Sequence, residues 1–395
     1  MRPLASRMSV MSGEGALSVF ARATELEREG RSIIHLELGE PDFHASAPVV
    51  HAVTKALEEG RDRYCAVQGV PALREELAAY LNRTRGLTVC ADSIVIAPGC
   101  KLALFFAIMA LVEPGDEVLY PDPGFPGYQS ITLGMGGTPI PFELAEKNAF
   151  QPDPDEIVAK ITPRTKILIT NSPGNPTGTV YTNEVQRNLA ELALKHDLIV
   201  FSDEIYARIL YAGEYHSMLK YPGMEERTLI IDGFSKSFAM TGWRVGYTVA
   251  PPRMVPALNL LAVNSFTCTA EFTQYAAIEA LRDPAGFTPH MVEEFARRRE
   301  QFISDLNRIP GFRCASPDGA FYAWVNISNT GLSAEEVCRI MLEEAGVAAI
   351  PGAAFGRSGT EFVRFSYASS AELLREAVQR IQTVSRAWQS TLVAR

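Results

Sequence analysis

Apolar and polar positions along the chain alternate between two rhythms. Short, nearly continuous apolar runs predict buried strands at Ser93–Ala97, Thr138–Phe142, Thr165–Thr170, Leu198–Ser202, Thr228–Ile231 and Val245–Ala250, with another opening at Asp116. Between them lie stretches with apolar residues three and four apart. These predict helices over 14–29 (closed by Gly30), 48–60, 69–80, from Lys101 to Val112, 154–160 and 183–196. Leu73, Leu77, Tyr80 and Leu81 form one stripe and are assigned to the core. Ile33–Leu38 alternates like a short strand that Gly39-Glu-Pro-Asp42 breaks. Beyond Arg253 the pattern turns mostly helical, and the charged stretch 293–308, including Arg297–Arg299, reads as a solvated face. Near the end, Phe312-Arg-Cys and Ala320–Val325 read as a hairpin across Ser-Pro-Asp-Gly. A helix follows over 333–345, then strands at 347–350 and 361–367 and a helix over 371–385.

Strands alternating with helices predict an α/β fold with a mostly parallel sheet covered by helices on both faces, in a large domain. The helical last third, with its few strands, predicts a smaller α+β domain. The expected division is residues 1–45 with the small domain, 46–285 as the large domain and 286–395 as the small C-terminal domain. A chain of 395 residues that is 47% apolar suits two such units. There are no internal repeats and no low-complexity tract.

Charge and composition narrow the function. A net charge of −9 speaks against a nucleic-acid surface, which needs a basic stripe. No run of 18 apolar residues predicts a membrane span, and the N-terminus lacks the apolar core of a signal peptide. Cysteines 65, 90, 100, 268, 314 and 338 are scattered without a CxxC or a Cys/His cluster, which fits free thiols in a reducing cytoplasm and no metal site. No GxxxxGK[ST] or GxGxxG is present, which disfavours nucleotide binding.

Candidate chemistry collects where predicted strands end. Pro98-Gly-Cys-Lys101 is a strand-to-helix turn, and a glycine there exposes the helix's first N–H groups to a phosphate. The loop Asn171-Ser-Pro-Gly-Asn-Pro-Thr-Gly178 is stiff enough to hold Asn175 in one pose. Asp203 ends an apolar strand, where a carboxylate is costly without a cation, and Tyr206 follows three residues on. Asp232-Gly-Phe-Ser-Lys-Ser-Phe-Ala-Met-Thr-Gly-Trp-Arg-Val-Gly-Tyr247 places Lys236 and Arg244 in one segment between two strands. Arg364 sits on an alternating strand, where its planar fork suits a carboxylate.

Together these segments resemble the fold-type I pyridoxal phosphate (PLP) enzymes, specifically the class I aminotransferases of the aspartate/aromatic group, from about Leu38 to about Tyr367. The resemblance implies PLP bound to Lys236 as a Schiff base. Asp203 would lie on the ring nitrogen, Asn175 and Tyr206 on the 3-oxygen, and Phe125 on the ring face. Arg244, Ser235 and the turn of Gly99, Cys100 and Lys101 would hold the phosphate. Arg364 would take the substrate carboxylate, Asn175 would border the substrate, and Gly39 would let the backbone pass close over it. Tyr64 would reach the neighbouring subunit's phosphate in a homodimer, with the Ser/Thr-rich stretch 264–277 as a dimer contact. The implied reaction moves an amino group from an L-amino acid to a 2-oxo acid by a ping-pong route.

Two departures stand out. Gly233 occupies the place of a phosphate-binding serine, leaving Ser235 or Ser237 to compensate. Phe106-Ala-Ile-Met-Ala110 lacks the lysine with which some relatives bind a second carboxylate, and with Met109 this points to neutral or aromatic substrates. The alternative is a PLP lyase of the C–S type on the same scaffold. A third reading, an effector-sensing module fused to a DNA-binding domain, is disfavoured because only 38 residues of this sequence precede Gly39.

Overall fold

The computed structural model describes residues 3–283 and 286–393, with side chains to residue 385. The first half runs α1 (Gly15–Arg28), β1 (Ile34–His35), α2 (Ala47–Glu58), α3 (Pro71–Arg85), β2 (Ile94–Ala97), α4 (Cys100–Leu111), β3 (Glu117–Asp122), α5 (Gly127–Gly134) and β4 (Thr138–Glu143). It continues through α6 (Pro154–Lys160), β5 (Thr165–Asn171), α7 (Asn183–Lys195), β6 (Ile199–Asp203), β7 (Thr228–Gly233), β8 (Gly246–Val249), α8 (Val255–Val263) and α9 (Glu271–Arg282). The last third holds α10 (Phe287–Leu306), β9 (Tyr322–Asn326), α11 (Ala334–Glu343), β10 (Val347–Ala348), β11 (Ile350–Pro351), β12 (Phe362–Ser366) and α12 (Ala371–Val393).

The large sheet has the order β2-β8-β7-β6-β5-β3-β4, parallel except for β8, which is antiparallel to both neighbours. Its inner strands are mostly apolar because both faces are covered, while β4 at one edge is partly exposed. Val95, Ile167, Ile169, Phe201, Leu229 and Ile231 pack on the side of α4, α5 and α8. Their neighbours in sequence turn the other way. Ile94, Ile96 and Ile230 meet α3 and α9, and Leu168 and Val200 meet α6 and α7.

The smaller α+β unit has a three-stranded antiparallel sheet, β11-β12-β9, backed by α10, α11 and α12. Chain ends far apart in sequence meet here: β1 pairs with β10 in parallel, and Ile34 and Leu36 join this core. The expected boundary at residue 285 falls on a residue outside those described.

Two expectations need correction. Phe312-Arg-Cys forms no hairpin arm: Arg313 makes a single antiparallel bridge to Asn326, while β9 takes β12 as its full partner. A strand buried on the core side gains more from a long neighbour than from three residues beside a turn. The 293–308 face is not wholly solvated either. Arg298 is buried, pairs with Asp42 and Glu294, and lies over the rings of Phe43 and Phe295. Its stem covers apolar surface while two carboxylates satisfy its head.

Candidate active site

The carboxyl ends of parallel strands border a crevice wherever neighbouring loops part. β5 ends on Asn171, β6 on Asp203 and β7 on Gly233, and β5 and β6 are in register with Asn171 opposite Asp203. Above them lies a cavity of about 290 Å³. Eleven of the thirteen expected site residues line it: Gly39, Cys100, Lys101, Phe125, Asn175, Asp203, Tyr206, Ser235, Lys236, Arg244 and Arg364. Gly99 lies immediately behind. Tyr64 does not join them: it is 85% exposed, on the loop between α2 and α3.

At one end of the cavity is an anion cradle. α4 begins at Cys100, so its first N–H groups have no partner within the helix. Gly99 holds the turn at φ 89°, and a Cβ there would sit 2.3 Å from Arg244 Nη2. Glycine is therefore required for the guanidinium to lie against the turn. Arg244 donates to Thr241 O at 2.7 Å and Pro98 O at 3.4 Å, staying exposed at the rim. The glycine at 233 has a similar cause. A Cβ there would meet Cys100 Sγ at 2.7 Å and Gly246 Cα at 2.8 Å, so β7 and β8 leave no room for a serine. Ser235 lines the cavity, whereas Ser237 is buried and does not.

In the middle, Asp203 accepts from Tyr128 Oη at 2.7 Å and from the Ile205 N–H at 3.3 Å. Among the described residues no cation pairs with it. Burial is the main cause that pushes its carboxyl up to about 6, against the bond from Tyr128. Lys236 Nζ donates to the Gly39 carbonyl and has no carboxylate partner among the described residues. Burial draws its amine down to about 8.

At the far end is Arg364, 4% exposed. Its Nη1 donates to Asn175 Oδ1 at 3.0 Å and its Nη2 to the Glu37 carbonyl, while Nε is buried without a partner. Its plane lies over Tyr322 at 4.4 Å and Phe355 at 4.8 Å. No carboxylate pairs with it among the described residues. Because Asn175 Oδ1 is taken, its NH₂ group remains free to donate.

Several residues that line the cavity or support it from behind escaped the sequence reading. Tyr128 holds Asp203, and Tyr322 Oη bonds Tyr206 Oη at 2.6 Å. Glu14 and Leu17 arrive from the start of α1, and Glu14 pairs with Lys101. Met109 is half-exposed and is not among the lining residues.

A crevice at parallel strand ends, holding a lysine, an unpaired aspartate and an anion cradle, defines a fold-type I α/β enzyme. The profile of the family described as aminotransferase class I and II matches residues 31–381. The chain is 38% identical to the aspartate/prephenate aminotransferase of Thermus thermophilus, over 97% of its own length and 99% of that protein's. It is 37% identical to the arginine–pyruvate transaminase of Pseudomonas aeruginosa, over 94% and 95%. Its backbone matches the crystal structure of an aromatic aminotransferase from Pyrococcus horikoshii with a TM-score of 0.88 at 36% identity, covering 93% of this chain and 98% of that one. The chain belongs to the class I aminotransferases, which use pyridoxal 5′-phosphate, and it is an enzyme of the transaminase type. No described helix is long and apolar enough to cross a membrane.

Proposed function

We propose that Lys236 is the residue that carries the cofactor and moves the proton of transamination, that Arg364 takes the substrate α-carboxylate, and that neutral or aromatic L-amino acids are preferred over aspartate. One observation carries this reading: Arg364 and Asp203 line the same cavity, and among the described residues Arg364 has no carboxylate partner and Asp203 no cation. Each is costly alone and complementary to a charge the ligands bring.

When bound, pyridoxal phosphate supplies a carbonyl carbon for the amino nitrogen and a ring that draws electron density from Cα. The residues present fit it. Arg244, Ser235 and the first N–H groups of α4 at Cys100 and Lys101 would hold the phosphate. Phe125 would cover the ring, Asn175 and Tyr206 would serve the 3-oxygen, and Asp203 would keep a proton on the ring nitrogen. Lys236 Nζ gives up its proton more readily than a free lysine, near 10.4, and so serves as general base at the substrate Cα. Arg364 fixes the carboxylate by its fork and thereby the direction of the Cα–H bond. The same groups serve both halves of the reaction, with amino acid in and 2-oxo acid out, then the reverse.

Leu17, Leu38, Leu104, Ile205 and Tyr322 give the cavity apolar walls, which suit an apolar side chain. Lys101, the cation a second carboxylate would need, is already paired with Glu14. Tyr64, exposed in the single chain, fits a homodimer in which it reaches the neighbouring phosphate. The six free thiols suit the reducing cytoplasm. The pairing of β1 with β10 supports residues 1–45 joining 286–395 in the small domain around a large domain of 46–285.

The test is kcat/KM for a panel of amino donors with one 2-oxo acid. Neutral and aromatic donors should exceed aspartate by roughly tenfold or more, the scale that apolar contacts give. Aspartate as the fastest donor would overturn the preference. Pyruvate released with ammonia or thiol, without a 2-oxo acid, would mark the lyase alternative, which the transaminase names of the relatives do not favour.

A further inference from the structure

Beneath the cavity lies a set of charges that the chemistry above does not use. α3 ends on Arg85, and Gly86 follows in the left-handed conformation (φ 61°) that closes the helix. Arg85 Nη1 lies 2.5 Å from Glu204 Oε2, and Nη2 binds Asp232 Oδ2. The three side chains are 6%, 0% and 4% exposed, so bulk water screens none of them.

The remaining carboxylate oxygens are also satisfied. Ser202 and Ser217 donate to Glu204 Oε1 at 3.0 and 2.7 Å. The Gly233 N–H donates to Asp232 Oδ1 at 2.6 Å and Tyr247 Oη to Oδ2 at 2.8 Å. Among the described residues Arg85 alone forms an ion pair with either acid. One guanidinium thus faces two buried carboxyl groups, and burial raises the carboxyl of Glu204. Such a cluster rarely stabilises a fold better than apolar packing would. Its location is informative: Glu204 directly follows Asp203, and Asp232 lies on the segment that leads to Lys236.

We propose that Arg85 is a positioning residue for transamination: through Glu204 and Asp232 it ties the ends of β6 and β7 together, and its charge sets the potential beneath Asp203 and Lys236. The proposal rests on the roles of those two residues given above. The charges of Asp232 and Glu204 both act on Asp203, raising its carboxyl, and Asp232 acts on Cys100 beside Lys236. The other titratable or charged groups facing the cluster are Tyr215, Tyr247 and Tyr80 with its partner Arg208. Tyr128 faces Asp203, while Cys100, Glu40, Arg244 and Arg364 face Lys236.

The test follows the pH titration of the visible band of the cofactor-loaded enzyme in wild type, Arg85→Met, Arg85→Lys and Asp232→Asn. Steady-state kinetics with one donor and thermal midpoints accompany it. Removing the buried positive charge favours the protonated form of the lysine–cofactor linkage, so Arg85→Met should raise the spectral midpoint by about one pH unit. Asp232→Asn should lower it by a similar amount, and Arg85→Lys should stay near wild type. In Arg85→Met, kcat should fall about tenfold with KM nearly unchanged. Opposite shifts from the two neutral variants are a signature that loss of packing does not produce. One midpoint shared by all four proteins, with only the thermal midpoints differing, would overturn the proposal. If Arg85→Met does not fold, Asp232→Asn decides: a lowered midpoint supports the proposal and an unmoved one overturns it. A wild-type enzyme whose visible band does not depend on Lys236 would overturn the underlying reading and this proposal with it.

Discussion

The burial of Asp203 costs stability, and Asp203→Asn should expose that cost. Burial lifts the carboxyl from an ordinary 3.8 to about 6. The folded chain therefore binds more protons than the unfolded chain between those values, and stability falls as pH rises through that range. The penalty is complete above the folded value. Integrated, it is about 3 kcal/mol near pH 7.5, of which about 1 kcal/mol is already present near pH 4.5. The cavity leaves the carboxylate partly open to water, which screens the difference to between about 1 and 2 kcal/mol. The amide in the variant can accept from Tyr128 or Ile205 but turns an NH₂ toward the other donor, a loss of about 1 kcal/mol that does not change with pH. Urea unfolding of the cofactor-free proteins at matched concentration, near pH 4.5 and near pH 7.5, measures both terms. Relative to wild type, Asp203→Asn should gain between about 1 and 2 kcal/mol on going to the higher pH. A difference that is flat with pH would refute the reasoning. With the cofactor bound, the same variant should lose roughly 10²- to 10³-fold in kcat, the scale for removing a charge aimed at the reacting system.

Arg364→Lys keeps the charge but loses the fork, so kcat/KM should fall roughly 10²-fold, mostly through KM, with little change in the cofactor spectrum. An effect on the spectrum alone would contradict its proposed role at the substrate. Gly233→Ser should lower stability by about 1 to 3 kcal/mol in thermal unfolding, since the new Cβ meets Cys100 Sγ and the β8 backbone. A variant as stable as wild type would show that β7 and β8 can part. Coexpressed chains carrying Tyr64→Ala and Lys236→Ala should form hybrids that regain up to about half of the wild-type activity, because one site combines an intact lysine with the partner's tyrosine. Hybrids as inactive as the parents would contradict a shared site.

What could be read before the structure follows from the physics of strand ends. Asn175, Asp203, Lys236 and Arg244 lie just beyond apolar runs, where a polar residue stands out against its neighbours, and the cavity gathers all four. Arg364 was legible because a guanidinium on a buried alternating strand needs an explanation. The residues that escaped act across distance. Tyr128 meets Asp203 from 75 positions away, Tyr322 meets Tyr206 from 116, and Arg85 meets Asp232 from 147. An aromatic on a helix or an arginine at a helix end looks like packing or surface until folding brings its partner beside it. Arg298 makes the same point in a charged stretch: spacing predicted a wet face, yet Asp42 and the ring of Phe43 draw it inward.

Lys236 is proposed to hold the cofactor and move the proton. The most direct measurement is the absorbance spectrum of wild type and Lys236→Ala after incubation with pyridoxal phosphate, repeated after adding one amino donor without a 2-oxo acid. Wild type should show a protein-bound visible band that bleaches stoichiometrically with the donor as a 2-oxo acid is released. Lys236→Ala should lack the lysine-linked band and release none. The same band and the same 2-oxo acid from Lys236→Ala would contradict the account.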